Sequence, residues 1–324
     1  MSLRSRLQPA ALVRSNVGGL FERRAQRSGQ PIGLVLMYHE IAPDQGTADD
    51  VLPALGADLF RAQLEHLRSN YEVVAARDLL ARADQRSAGD PLPVAITFDD
   101  DFSRHTTVAA PLLSEFGFRA TFFLCGNTLE GPDPFWWQDL QVILNREPDA
   151  WPKLRRRLAQ DWQWAELEGQ VSDFTNTIEA APPKLRDEIA AKLREIAGDD
   201  VLDPGLRADE VRELARDFDI GFHTRRHYRL ETLEGKALDE AMREGLDELT
   251  EVVGHRPATI AYPHAKADLR VADAARGAGF ELGFLVGDVP TTAAQHPLLL
   301  ARVGGATDSL ETFRWVLGQA ANRA

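Results

Sequence analysis

Residues 94–101 read Val-Ala-Ile-Thr-Phe-Asp-Asp-Asp, an apolar run that ends in three consecutive carboxylates. Five apolar or β-branched residues in a row are typical of a strand buried on both faces, as in a parallel sheet. Adjacent carboxylates repel one another, and holding them near an apolar strand end raises their free energy. Asp99, Asp100 and Asp101 therefore form either a solvated acidic turn or a site that a bound cation stabilises.

A second polar cluster follows a second predicted strand. Residues 217–222 alternate polar and apolar side chains and lead into residues 223–227, His-Thr-Arg-Arg-His. Two histidines four residues apart can bind one metal ion from a single turn, although such pairs also occur on protein surfaces. Strand ends meet at one face of a parallel α/β fold, so we expect His223 and His227 to lie near the carboxylates. One carboxylate and two imidazoles leave a position open for water, which is typical of a catalytic metal site.

Strands and helices alternate along most of the chain. The main predicted strands are 32–38, 71–74, 94–98, 119–124, 218–222, 259–262, 282–286 and 298–303. The main predicted helices between and after them are 78–83, 111–116, 209–216, 238–253, 271–277 and 309–320. Asp58 is expected to cap a helix that carries Phe60, Leu64 and Leu67 on one face. This order predicts an α/β fold with a buried parallel sheet, and periodicity alone leaves a barrel and an open doubly wound sheet as alternatives.

Four short motifs, in order, resemble those of one enzyme family. Residues 97–100 (Thr-Phe-Asp-Asp) and 223–227 are similar to the first two motifs of the polysaccharide deacetylases, the NodB-homology or family 4 carbohydrate esterases. Residues 261–264 (Ala-Tyr-Pro-His) resemble the third motif, in the branch where Ala-Tyr-Pro replaces Arg-x-Pro. Residues 36–41 (Leu-Met-Tyr-His-Glu-Ile) resemble the opening strand of that branch, which includes the poly-N-acetylglucosamine deacetylases. The resemblance covers roughly residues 33–303 and implies a distorted (β/α) barrel, commonly of seven strands.

The resemblance also implies roles for individual residues. Asp100, His223 and His227 would bind one divalent metal ion, and Asp99 would act as the general base. Zn²⁺ suits mixed nitrogen and oxygen ligands, as do Co²⁺, Ni²⁺, Mn²⁺ and Fe²⁺. A divalent ion lowers the pKa of bound water from about 15.7 toward 7 and polarises an amide carbonyl. Thr224 is expected to support the histidine pair by hydrogen bonding.

A general acid must protonate the leaving amine. His39 is the candidate implied by the Tyr-His opening motif, and His264 and His296 are alternatives. Arg302 resembles a later arginine of the branch and could supply a positive charge near Asp99, where Ala261 stands in place of the usual arginine. The residues expected to contact substrate are Tyr262, Pro263, His264, Arg302, Trp136 and Trp137.

Asp101 and Asp268 are two further acidic residues with expected roles outside the metal ligand set. Asp101 stands where many family members have glycine, and it either raises a neighbour's pKa or faces solvent. Asp268 is expected to cap the helix that follows it.

Residues from about 131 to 205 interrupt the alternation and predict a helical insertion, with helices at 136–144, 151–164 and 183–196. Five of the six tryptophans lie in this insertion: Trp136, Trp137, Trp151, Trp162 and Trp164. Large aromatic side chains dominate small cores, so a separate core for the insertion is the favoured interpretation. The alternative is that some of these side chains stack on a sugar or cover an apolar carrier.

Composition restricts the remaining possibilities. A net charge of −13 argues against a general nucleic-acid binder, which would carry a basic surface. The single cysteine, Cys125, excludes an internal disulfide and lies in an apolar run, where we expect it to be buried. Residues 10–13 are too short an apolar stretch for a signal-peptide core or a membrane span, so we expect a cytoplasmic protein.

The N-terminus is basic and precedes the first confident strand. We expect residues 1–30 to form a helix or arm packed on a barrel domain of residues 31–324. The residues that fall near one helical face are Leu3, Leu7, Ala10, Val17 and Phe21. This face leaves contact with the inner membrane surface as an alternative.

The expected activity is metal-dependent removal of an N-acetyl or N-formyl group from an amino sugar. Its substrate would be a cytoplasmic saccharide precursor, a nucleotide- or lipid-linked sugar, or an aminoglycoside-like metabolite. Two other classes stay open. A non-haem iron oxygenase also uses two histidines and one carboxylate, although it does not need the second adjacent carboxylate. A carbohydrate-binding relative without catalysis is the other alternative.

Overall fold

The computed structural model describes residues 8–47, 50–147, 149–162 and 170–323, and it describes no side chains at 8–17 and 160–162. The strands in these ranges are β1 Leu34–Tyr38, β2 Ile41–Ala42, β3 Leu55–Gly56, β4 Tyr71–Val73, β5 Leu92–Asp99, β6 Thr121–Leu124, β7 Asp219–Phe222, β8 Thr259–Ala261, β9 Leu282–Val286 and β10 Leu300–Gly304. The α-helices are α1 Gln8–Ser28, α2 Ala57–Asn70, α3 Leu79–Asp84, α4 Ala110–Phe116, α5 Trp136–Leu144, α6 Ala150–Trp162, α7 Val171–Ala180, α8 Pro183–Ala197, α9 Ala208–Asp217, α10 Gly235–Ala241, α11 Leu246–Val253, α12 Leu269–Gly277 and α13 Leu310–Ala321.

Seven parallel strands close into a barrel, in the order β1, β5, β6, β7, β8, β9 and β10, with β10 returning to β1. The register runs around the ring, so that Thr97 of β5 pairs with Met37 on one side and Thr121 on the other. β4 pairs only with the first residues of β5, and β2 and β3 form a separate short sheet. The distorted (β/α) barrel is therefore confirmed, and the open sheet is excluded.

Alternation along the strands decides which side chains enter the barrel. One set of strand residues packs together inside it: Val35, Ala95, Phe123, Ala261, Phe284 and Leu300. Their chain neighbours Leu34, Leu36, Val94 and Ile96 instead pack with the surrounding helices. Since side chains alternate with a period of two, Thr97 and Asp99 lie on the same side of β5 as Ala95. The interior above the apolar core is thus lined by polar residues at the carboxyl ends of the strands.

Two local expectations were wrong and one is confirmed. Helix α2 begins at Ala57 with Gly56 as its N-cap and no side-chain cap, because β3 runs directly into the helix; Asp58 lies in the first turn. The helix predicted over 238–253 is two helices, because α10 ends at Ala241 and α11 begins at Leu246 after its N-cap Gly245, whose φ is 81°. Asp268 does cap α12, since its Oδ1 accepts the Val271 N–H at 2.9 Å.

Helices α5 to α8 lie between β6 and β7 in the chain and share a core of their own. That core contains Trp136, Trp137, Leu158, Phe174, Ile189 and Leu193, with Trp151 packed against it. The prediction that the tryptophans form a local core is confirmed for these three. Trp164 and the side chain of Trp162 lie outside the described residues. Helix α7 was not predicted, and the helix predicted over 151–164 is described as far as Trp162.

Helix α1 packs against the C-terminal helix α13, where Phe21 contacts Trp315 with ring centroids 5.7 Å apart. Its buried Glu22 accepts a hydrogen bond from the Tyr71 hydroxyl at 2.8 Å and lies 2.7 Å from His66 Nε2. Leu3 and Leu7, and the side chains of Ala10 and Val17, lie outside the described residues. The domain division at residue 30 stays a prediction. Among the described helices, none is long and apolar enough to cross a membrane, and Cys125 is buried as expected.

Candidate metal centre and active site

Asp100, His223 and His227 converge where β5 and β7 end. Asp100 Oδ1 lies 3.6 Å from Nε2 of each histidine, and one ligand atom from each residue falls within 4.8 Å of the others. Ligands about 2.0–2.2 Å from one tetrahedral ion would be separated by about 3–4 Å. Asp100 Oδ1 is buried and has no hydrogen-bond partner among the described residues, which is costly for a carboxylate oxygen. The donor set therefore fits one divalent metal ion.

The two histidines are in the form that binds metal. His223 Nδ1 lies 2.8 Å from the Ala261 carbonyl oxygen, so this nitrogen donates its proton and Nε2 is left as the ligand atom. Burial lowers the pKa of His223 to about 4. Burial, followed by the nearby His264 and His223, lowers the pKa of His227 well below its ordinary value. Both imidazoles are consequently neutral at neutral pH, as metal ligation requires.

The backbone at this site is strained. Asp100, Thr224 and His227 adopt positive φ values of 70°, 60° and 48°. A non-glycine residue in this region costs roughly 1–3 kcal/mol and persists only where its surroundings fix it. Thr224 supports the histidine pair through its carbonyl, which accepts the His227 N–H at 3.3 Å. Its hydroxyl has no hydrogen-bond partner among the described residues, so the expected support by hydrogen bonding comes from the Thr224 backbone and not from its side chain.

A buried ion pair holds Asp99 beside the cluster. Arg302 donates from Nη1 and Nη2 to the two Asp99 oxygens, each at 2.6 Å, and Nη1 also reaches the Thr97 hydroxyl at 3.1 Å. Burial alone would raise the pKa of Asp99, but the charge and hydrogen bonds of Arg302, with a contribution from His223, lower it to about 2. Asp99 is thus ionised at neutral pH, with Oδ2 4.0 Å from Nε2 of His223. Arg302 occupies the place expected for the positive charge near Asp99.

Asp101 is buried beside the loop that follows β6. Its carboxylate oxygens accept the backbone N–H groups of Cys125 at 2.9 Å and Asn127 at 3.1 Å, which fixes the loop after β6. Burial raises the pKa of Asp101 to about 6 despite these hydrogen bonds. Burial and the charges of Asp99 and Asp101 also raise the pKa of Asp100 well above its ordinary value. Of the two alternatives for Asp101, an effect on a neighbour's pKa holds and exposure to solvent does not.

A cavity of about 550 Å³ opens over this cluster. The sequence-predicted residues that line it are His39, Asp99, Asp100, Trp136, Trp137, His223, His227 and His264. Burial lowers the pKa of His39, while the charge of Asp99 acts in the opposite direction. Thr175 and Glu179 of α7 also line the cavity, so the insertion forms one of its walls.

Three residues expected to contact substrate do not line this cavity. Tyr262 follows the inward-facing Ala261, so strand alternation turns it outward, where its buried hydroxyl donates to the Leu298 carbonyl at 2.8 Å. Pro263 is buried, and Arg302 is fully enclosed in its pair with Asp99. His296, an alternative general acid, also does not line the cavity and lies 2.8 Å from the Arg276 guanidinium.

Sequence reasoning missed contributions from the insertion. Glu179 Oε2 lies 3.4 Å from His264 Nδ1, and His264 Nε2 lies 3.3 Å from the His227 carbonyl oxygen. Arg186 of α8 also reaches this carbonyl. Glu179 and Arg186 belong to no motif and are far from His223 and His227 in sequence, so no sequence signal pointed to them.

The structure resembles several solved structures at low sequence identity. The Streptococcus pyogenes deacetylase PplD, solved in complex with acetate, is 17% identical, with 89% of this chain and 98% of that chain covered and a TM-score of 0.58. IcaB from Ammonifex degensii is 18% identical, with coverage of 89% and 97% and a TM-score of 0.55. A de-N-acetylase from Aggregatibacter actinomycetemcomitans is 14% identical, with coverage of 87% and 98% and a TM-score of 0.54. At these identities the likeness concerns the fold.

Sequence comparison identifies the family. No relative was found among curated protein sequences. The family model for polysaccharide deacetylase, however, matches residues 87–283, more than half of the chain. This match includes Asp99, Asp100, His223 and His227, the residues that converge in the cavity. The chain therefore belongs to the polysaccharide deacetylase family, and it is a hydrolase of the carbohydrate deacetylase class.

Proposed function

We propose that this carbohydrate deacetylase is metal-dependent and removes an N-acetyl or N-formyl group from an amino sugar. The observation that supports this best is that the adjacent carboxylates Asp99 and Asp100 have different partners. Asp100 lies with His223 and His227 in a set of donors that suits a metal ion. Asp99 is held apart from that set by Arg302 and stays ionised. A hydrolase needs both a metal ligand and a base at this position.

Asp100, His223 and His227 would hold the ion, with Zn²⁺ the first choice and Co²⁺, Ni²⁺, Mn²⁺ or Fe²⁺ compatible with the same donors. Such an ion supplies a Lewis acid for the amide carbonyl and lowers the pKa of water. Asp100 Oδ1 is buried without a hydrogen-bond partner in the described part of the chain, so a bound cation would offset the cost of burying its charge.

Asp99 is the proposed general base. Its two oxygens are fixed by Arg302, so the carboxylate can accept a proton from the attacking water without first having to orient. The same ion pair lowers its pKa to about 2, so Asp99 gains a fixed position and charge and loses basicity.

His39 is the proposed general acid. It lies at the end of β1 and lines the cavity with Asp99 and Asp100. A protonated imidazole there would give its proton to the amine as the C–N bond breaks, leaving a carboxylic acid and a free amino sugar. His264 is less suited, because both of its ring nitrogens already face partners, Glu179 at 3.4 Å and the His227 carbonyl at 3.3 Å.

The substrate proposed is an amino-sugar unit of a saccharide or glycoconjugate precursor, including nucleotide- or lipid-linked forms. A cavity of about 550 Å³ lies within the usual range of small-ligand sites. Trp136 and Trp137 give part of its wall an apolar aromatic surface. A cytoplasmic location, with α1 near the inner membrane surface as an alternative, belongs to the same proposal.

The test is acetate and formate release from a panel of N-acyl amino sugars, free, oligomeric and nucleotide-linked. The protein would be chelated and supplied with one metal at a time, with Asp99→Asn as the inactive variant. Asp268→Asn, which alters a helix cap and does not line the cavity, is the matched acidic control. We expect metal-dependent release that is lost in Asp99→Asn and kept in Asp268→Asn. One bound metal per chain with no release from the whole panel would favour a binding-only relative.

A further inference from the structure

Arg186, in helix α8 of the insertion, reaches the backbone of the second histidine. Its Nη1 donates to the His227 carbonyl oxygen at 2.5 Å, although the two residues are 41 positions apart. The arginine side chain is buried, with 4% of its surface exposed. A charged donor to a buried carbonyl is among the stronger hydrogen bonds in proteins.

The guanidinium has no carboxylate at ion-pair distance among the described residues. It lies over the Tyr228 ring, with Cζ 5.1 Å from the ring centroid. The Tyr228 hydroxyl in turn donates to Asp187 Oδ2 at 2.7 Å, so the neighbouring carboxylate is engaged with tyrosine. Burying a cation without a paired anion lowers the stability of the fold. A role in folding stability alone therefore does not explain why an arginine lies at this position.

The two histidines differ in how they are held. The His223 ring is oriented by its own hydrogen bond to the Ala261 carbonyl. The His227 Nδ1 is buried and has no partner among the described residues, so no hydrogen bond fixes its ring. The ring is located by packing, with Trp137 of the insertion at a centroid distance of 4.8 Å. Its position therefore depends on a backbone that is itself in the left-handed region, with φ of 48°.

We propose that Arg186 is a positioning residue, which holds the His227 backbone so that its imidazole faces Asp100 and His223. Through this contact the insertion helps to set the geometry of the metal site. The inference rests on the proposed function, because it takes these three residues as metal ligands. Loss of groups that orient a metal ligand typically weakens metal affinity about 10–100-fold.

Arg194 provides a matched control. It belongs to the same helix, and its Nη2 donates to the Gly198 and Asp200 carbonyls at 2.6 and 2.7 Å. Its Nη1 lies 2.9 Å from Asp139 Oδ1. Arg194 thus anchors backbone within the insertion without touching His227.

The experiment is a titration of metal-free protein with Co²⁺, followed by the visible absorption of the bound ion, with thermal unfolding of the same metal-free samples. We expect R186M to bind Co²⁺ about 10–100-fold more weakly than wild type, with a changed spectrum. R186K, which keeps one donor, should lie between the two. R194M should bind with wild-type affinity and spectrum. If R186M does not fold, weaker Co²⁺ binding by R186K at an unchanged melting temperature supports the positioning role of Arg186.

The failures are distinguishable. Binding by folded R186M or R186K that matches wild type in affinity and spectrum overturns the role of Arg186 and leaves the metal site intact. Equal weakening in R186M and R194M also overturns it, because general loss of insertion stability then explains the effect. Absence of Co²⁺ binding by wild type overturns the proposed metal site and the inference together.

Discussion

Replacement of Arg302 by methionine tests the electrostatic part of the proposed mechanism. Arg302 is fully buried and makes two hydrogen bonds of 2.6 Å to Asp99, and these interactions outweigh the burial that would raise the pKa of Asp99. Methionine keeps much of the side-chain volume and removes the charge and the donors. The Arg302→Met variant therefore leaves Asp99 buried without its main partner.

The size of the effect follows from the cost of breaking a buried ion pair, about 3–5 kcal/mol. At about 1.4 kcal/mol per pKa unit, this corresponds to an increase of about 2–4 units. The pKa of Asp99, about 2 in wild type, would rise to about 4–6 in the variant. We expect the acid limb of kcat/KM to move from below the accessible pH range to about pH 4–6.

The free energy of unfolding should also depend on pH through the protonation of Asp99. In wild type the folded pKa of Asp99 is below its unfolded value of about 3.9, so Asp99 adds stability above that pH and loses it as pH falls toward 2. In Arg302→Met the folded pKa lies above the unfolded value. The variant should therefore be most destabilised above about pH 6 and less so as Asp99 becomes protonated.

The assays are kcat/KM from pH 4 to 9 and urea unfolding at pH 7 and 4.5. Arg61→Met is the control, because Arg61 makes an equally bidentate pair with Glu115 at 2.5 and 2.8 Å, but on the surface. We expect no change in either measurement for this control. An Arg302→Met enzyme with the wild-type acid limb, or with equal destabilisation at both pH values, would refute the reasoning.

Two further changes test other parts of the molecule. His39→Gln should reduce kcat by about 10²–10⁴-fold without changing Co²⁺ affinity, because it removes a general acid and no metal ligand; unchanged kcat would assign the acid elsewhere. Leu158→Ala should reduce the free energy of unfolding by about 2–5 kcal/mol in urea titrations, because Leu158 is fully buried in the insertion core. A loss below 1 kcal/mol would show that this core contributes little to folding.

Much of the barrel could be predicted because the residue pattern of each strand is recognisable without knowledge of its neighbours. The run at 94–98 consists of apolar or β-branched residues and forms the centre of β5, and the strand at 282–286 has the predicted bounds. The proximity of Asp100 to the histidines also followed from sequence, because both groups come directly after parallel strands. Side-chain alternation adds that Tyr262 faces away from the barrel interior, a consequence that a motif match alone does not show.

Contacts between distant segments could not be predicted in this way. The sequence left Asp101 as either a solvent-facing residue or one that raises a neighbour's pKa, and only the fold shows that the backbone N–H groups of Cys125 and Asn127 donate to its carboxylate. Helix α7 was not predicted, and nothing in its sequence indicated that Glu179 would lie close to His264. Arg186 is one of many charged residues in α8, and its burial depends on how the insertion packs against the loop of His227.

The most direct test of the central claim is the anomalous scattering of crystals grown with Zn²⁺, measured on both sides of the zinc edge. We expect one peak per chain, about 2.0–2.2 Å from a carboxylate oxygen of Asp100 and from Nε2 of His223 and of His227. Asp99 should remain paired with Arg302 and should not coordinate the ion. A peak at other residues, or no peak in the cavity at a saturating zinc concentration, would contradict the proposed metal-dependent site.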